Sequence, residues 1–138
     1  MELLCTNVKH KRLHCGSLLI HGACVNLEAP QIFREFSKRR VPLHVCLEKE
    51  HMDMVGFKLA TILKTSKPKD LTVLTVDGSP HCLQLHFAVD QAKTIAGSDV
   101  KVAHYTIEHG ELSQISTEAV KTARHLSQTE KLLSKRKR

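Results

Sequence analysis

Leu71-Thr72-Val73-Leu74-Thr75-Val76 runs straight into Asp77-Gly78-Ser79-Pro80-His81-Cys82. The first six residues are apolar or β-branched at every position, the pattern of a strand covered on both faces rather than on one. The next four carry turn and helix-start chemistry. Gly78 is free to take a dihedral that other residues avoid. Ser79 suits an N-cap, its hydroxyl accepting from an orphan amide of the first turn. Pro80 suits the first helical position, where its missing N–H costs nothing. A buried strand that feeds a helix directly is the repeating unit of α/β folds with parallel sheets.

Outward from this unit the same alternation recurs. Leu18–Val25, Pro42–Leu47 and Lys101–Ile107 are further short apolar runs. Each is followed by residues at helical spacing: Ile32, Phe33 and Phe36 after Pro30; then Met52, Val55, Leu59, Ile62 and Leu63; then Ala119, Ala123 and Leu126 in a last helix running into the basic tail. After Leu71–Val76 the stripe is Leu85, Ala88, Ala92 and Ile95. Glu108-His109-Gly110-Glu111 reads as a turn into a short antiparallel edge strand, Leu112–Ile115. Met1–Cys5 is a candidate strand and Asn7–Cys15 a basic loop. The expected fold is a small single-domain three-layer α/β sandwich, with a mostly parallel sheet of four or five strands. Flavodoxin-like and truncated Rossmann-like strand orders are equally open. The domain is expected over residues 1–134, with 135–138 as a basic tail.

The length, 138 residues, suits one domain, and a content of 41% hydrophobic and 25% charged residues is that of a globular chain. No run approaches the ~18–20 consecutive apolar residues of a membrane span. The N-terminal segment lacks the charge-then-apolar order of a secretory signal. A cytoplasmic protein is therefore expected. Of the net charge of +7, four come from Lys135–Arg138 and the other three lie mainly in Lys9-His10-Lys11-Arg12 and Lys38-Arg39-Arg40. Nucleic acid is thus a candidate partner, but Trp is absent and Tyr105 is the only tyrosine, so stacking platforms for single strands are scarce. A protein or small-molecule partner and a homo-oligomer also remain open.

Ligands of open parallel sheets bind outside the carboxyl ends of the strands, which here means Asp77–Cys82. Helix amides there favour an anion, and their field should lower the pKa of the Cys82 thiol. Cys82, His81 and Asp77 are accordingly the candidate catalytic residues, with His86 one helical turn beyond as a partner. Gly78, Ser79, Glu50 and His51 are candidate ligand-binding residues at the same edge. Glycine signatures of dinucleotide folds and P-loops are missing, as is the Gly-x-Ser-x-Gly elbow of hydrolases.

Five cysteines without a Cys-x-x-Cys suggest metal ligands, reactive thiols or buried small hydrophobes rather than a disulfide framework. Cys5, Cys15, Cys24 and Cys82 are the candidate ligands of an iron–sulfur cluster or a transition metal, although their wide spacing matches no recognised cluster motif. Cys46, within an apolar run, is expected in the core. These residues together suggest a cysteine-centred site serving redox or metal chemistry. The alternatives are a binding or assembly module that engages RNA or an acidic partner, and a small-anion or ligand sensor.

Overall fold

The computed structural model describes residues 1–137. Five strands form one sheet: β1 (Ser17–Gly22), β2 (Val41–Val45), β3 (Asp70–Val76), β4 (Lys101–Glu108) and β5 (Glu111–Ile115). Helices α1 (Val25–Glu28) and α2 (Pro30–Ser37) connect β1 to β2, α3 (Met52–Ser66) connects β2 to β3, and α4 (Pro80–Ala96) connects β3 to β4. After β5 come α5 (Thr117–Ala123) and α6 (Leu126–Arg136). The strand order is β2-β1-β3-β4-β5, parallel except for the antiparallel β4–β5 pair.

β3 lies at the centre, hydrogen-bonded to β1 on one side and β4 on the other. Its alternate residues face opposite layers, which is why the whole segment Leu71–Thr75 is buried. Leu71 and Val73, with Leu18, Ile20, Leu43 and Val45, face α3 and α4 in the larger core. Leu74, with Leu19 and Ile107, meets Phe33 and Phe36 of α2 in the smaller one. The sheet is thus covered by a helical layer on each face.

The expected three-layer α/β architecture is the observed one. The order 2-1-3-4-5 is that of flavodoxin-like sheets, and a Rossmann sheet lacking its third strand reads identically. The antiparallel β5 sets this chain apart from both. It is joined to β4 by His109 and Gly110, whose φ values of 51° and 77° make the two-residue turn that suits strand twist.

Several boundaries differ from expectation. β1 ends at Gly22 instead of Val25, because the chain turns at Ala23-Cys24 and Val25 begins α1. β2 ends at Val45, so Cys46 leaves the strand and is half-buried beside it instead of in the core. Met1–Cys5 contributes only an isolated parallel bridge between Glu2 and His44. The last helix is two, broken at Arg124-His125. α6 continues through Arg136, so the expected boundary at 134/135 falls inside it; Arg138 lies outside the described residues. Among the described residues no helix is long and apolar enough to cross a membrane.

The central place of β3 gives a stability prediction. Leu74 is fully buried while Leu112 on β5 is 42% exposed. Leu74→Ala should cost about 2–5 kcal/mol in urea denaturation, and Leu112→Ala less than about 1 kcal/mol.

Candidate functional site

The connection from β1 leads to β2 and that from β3 to β4, on opposite sides of the β1–β3 pair. The loops after these two strands therefore part, leaving a crevice at the carboxyl edge of the sheet. A cavity of about 440 Å³ lies there. Cys24 enters it from the turn after β1, Cys46 from the end of β2, and Cys82 from the first turn of α4. Ser79, His81 and Thr75 line it as well.

The helix start that positions Cys82 forms as its residues dictate. Gly78 takes φ 102°, Ser79 caps α4 by accepting from the His81 amide at 3.2 Å, and Pro80 opens the helix. Ser79 beside Cys82, and Cys82 beside Cys24, each favour the neighbouring thiolate. Three half-buried thiols thus share one crevice.

The expected lowering of the Cys82 pKa does not occur. Burial pushes the Cys82 thiol above its ordinary value, and the neighbouring Cys24 pushes it further; the Ser79 hydroxyl opposes these with a smaller effect. Burial raises Cys24 in the same way, with Glu28 adding to it. Desolvation of a thiolate outweighs the helix-end field here because the crevice walls are mainly apolar: Val45, Leu47, Val76 and Leu85.

Other expected site residues fall elsewhere. Asp77 and Gly78 are exposed turn residues at the same edge but not in the crevice, the Asp77 carboxylate accepting from the Gly78 amide at 3.1 Å. His51 stands at the N-cap position of α3 without a side-chain capping hydrogen bond, and lines a separate groove beside Met52 and Phe57. Glu50 follows β2 at the carboxyl edge without lining the crevice, where its neighbour Glu48 does.

The four expected metal ligands do not gather. Cys15 precedes β1 and Cys24 follows it, and the six-residue strand between them spans roughly 20 Å. Cys5 is exposed and donates to Glu2 at 2.8 Å, a contact that raises its pKa. Among the described residues no group of three or more His, Cys, Asp or Glu side chains is placed to hold a metal ion. The donor set for an iron–sulfur cluster or transition metal therefore does not fit.

His86 does not pair with Cys82. It faces the sheet inside a buried chain that sequence reasoning missed. Thr75 Oγ1 lies 2.8 Å from His86 Nε2, His86 Nδ1 lies 2.8 Å from His104 Nδ1, and His104 Nε2 lies 3.2 Å from Asp90 Oδ1. With one proton on each ring the directions are determined. His104 donates to Asp90 through Nε2, so its Nδ1 accepts from His86, whose Nε2 accepts from the Thr75 hydroxyl. Asp90 Oδ2 is buried with no partner among the described residues. His86 and Asp90 stand one turn apart on α4, a spacing visible in the sequence. Only the β3–β4 register brings His104 to them. Thr75 links this chain to the crevice wall.

A family model described as a Rossmann-like domain matches residues 11–137. No curated protein and no solved structure gives a match.

Burial drives the pKa of His86 down to about 4, with the neighbouring His104 adding to the effect and Asp90 opposing it. His21, buried against Phe33, is lowered to about 4 by the same desolvation. Both rings are neutral in the fold and protonate more readily when it opens. Stability from each is therefore complete above pH 6.5 and is lost as pH falls towards 4, on the order of 3 kcal/mol per ring. Denaturation at stepped pH should show the decline across that window. NMR titration should find both imidazoles still neutral at pH 5.5, and midpoints near 6.5 would contradict their desolvation.

Proposed function

We propose that this chain, which belongs to the Rossmann-like domain family, uses the crevice at its strand switch point as a thiol–disulfide site, with Cys24 and Cys82 as the convertible pair. The observation that carries this reading is that both thiols line one crevice, close enough for each to act on the ionisation of the other. They come from separate crossovers, 58 positions apart in sequence, and meet where a ligand of such a sheet would bind.

The exchange partner is a disulfide, of a small thiol or of a protein. Cys24, the less buried of the two, attacks one sulfur of that disulfide as the thiolate. A mixed disulfide forms, and the other partner sulfur leaves and takes up a proton. Cys82 then attacks Cys24, displacing the second partner thiol. Two cysteine thiols have become one disulfide and one disulfide two thiols, with two electrons and two protons transferred. Cys82 beside it favours the thiolate on the attacking residue, opposing the larger effect of burial. Ser79 acts in the same sense on Cys82, the second nucleophile.

Raised thiol pKa values give the site a pH signature. Below about pH 8 little thiolate is present, so exchange should be slow at neutrality and quicken as pH rises past 9. The same sign applies to stability: the neutral thiols favour the fold at neutral pH, and that contribution fades as pH rises through their folded pKa values.

Equilibration with glutathione buffers of graded potential, followed by peptide mass analysis, tests the reading. It predicts a reversible Cys24–Cys82 disulfide, and a trapped glutathione adduct on Cys24 in Cys82→Ser. Oxidised glutathione that modifies only the exposed Cys5 and Cys15, leaving the crevice thiols reduced at pH 9, would refute it.

A further inference from the structure

The opposite edge of the sheet carries a second feature, independent of the thiols. Lys64, Lys67, Lys69 and Lys101 line a groove of about 770 Å³ at the amino ends of β3 and β4. Lys38, Arg39 and Arg40 line another of about 420 Å³, and Asp70 belongs to both, so the two grooves adjoin. The loop that holds Lys9, Lys11 and Arg12 is tied to the same edge: the Ser66 hydroxyl donates to the Val8 carbonyl, and the Cys15 amide donates to the Ser66 carbonyl. All of these cations except Arg40 are exposed.

Ten Lys and Arg thus meet three acids, Glu35, Asp70 and Asp99, on one edge, a balance of +7. That equals the net charge of the entire chain, leaving eleven charges of each sign for everything else. Two of the acids are engaged locally: Asp70 accepts from Ser17 at 2.8 Å, and Glu35 pairs with Lys38 at 2.8 Å. Complementing helix ends does not account for the excess. The carboxyl ends of α2, α3 and α4 lie at this edge, and at about −0.5 charge each they balance less than two of the seven.

We propose that this edge binds a nucleic-acid duplex through its phosphate backbone. Two features separate a duplex from other polyanions. None of the exposed large apolar side chains lines either groove, so the anchors of a protein interface and the wedges of a membrane-inserting surface are both missing. No aromatic residue lines them, so unstacked bases of a single strand have no platform. Cations spread over two adjoining grooves and a loop match charges repeated along a backbone and carry no means of reading sequence.

Fluorescence anisotropy with a labelled 20-base-pair duplex of arbitrary sequence tests this. With roughly half of the ten cations on phosphates, Kd should rise about 10²–10³-fold between 50 and 200 mM salt. Lys67→Gln/Lys69→Gln/Lys101→Gln, and separately Lys9→Gln/Lys11→Gln, should weaken binding and lower the salt slope by about one for each phosphate that is no longer neutralised. Both sets replace exposed side chains, so folding is spared and unchanged thermal melting verifies it. Removing residues 135–138 should leave most of the affinity, and scrambling the duplex should change nothing. The proposal is overturned by absence of binding at 50 mM salt, or by edge variants that bind like the parent while the truncated chain does not. It is equally overturned by tighter binding to polyglutamate or to anionic vesicles than to the duplex.

Discussion

β3 is hydrogen-bonded in parallel on both flanks, and this constraint organises the remainder of the molecule. Parallel pairing to β1 and β4 places three strand starts at one edge and three strand ends at the other. Each crossover must then begin at the carboxyl edge and return to the amino edge. Cys24, Cys46 and Cys82 follow strand ends and share a crevice. The cations of the helix-to-strand connections accumulate opposite them. The chemical polarity of the protein is thus a consequence of its topology, with soft, weakly polar thiols at one end and fixed positive charge at the other.

Within that frame, burial decides the chemistry more than local fields do. The start of α4 offers free amides and a capping serine, both of which favour a thiolate. Even so, the apolar walls and the adjacent Cys24 leave Cys82 harder to ionise than an exposed thiol. Desolvation acts on His86 in the opposite sense, holding the ring neutral so that it can accept from Thr75 while donating to His104. A buried polar chain of this kind is tolerable only when its members are satisfied. The connection holds from Thr75 to Asp90 Oδ1 and fails at Asp90 Oδ2 alone among the described residues. Because Thr75 lies on the crevice wall, the rigid interior of the β3–β4–α4 unit continues into the site.

The fold is legible in the sequence because its signals are local. Leu71–Val76 reads as a doubly covered strand from six residues, and Gly78-Ser79-Pro80 as a helix start from three. The site is legible only in outline. Cys24 and Cys82 are recognisable as edge residues from the parallel order, but their meeting depends on the β1–β3 pairing, which no spacing encodes. Cys46 reads as core because a shift of one residue at the end of β2 separates the interior from the crevice wall. Asp77 looks catalytic by position, yet its carboxylate closes its own turn. The Cys5/Cys15/Cys24/Cys82 set fails for a simpler reason: β1 holds two of them at opposite ends. The basic edge is hidden because its cations lie in four separate segments, and the tail draws attention to charge that is only part of the total.

Two thiols from different crossovers, Cys24 and Cys82, line one switch-point crevice, near enough to be joined. A trivalent arsenical such as phenylarsine oxide bridges only thiols that lie within a few ångströms of each other. Treatment of the reduced native protein, followed by peptide mass analysis, should yield one bridged adduct joining the Cys24 and Cys82 peptides, and it should vanish in Cys24→Ser and in Cys82→Ser. Arsenic that does not join Cys82 to Cys24, or that bridges thiols only after unfolding, would contradict the account.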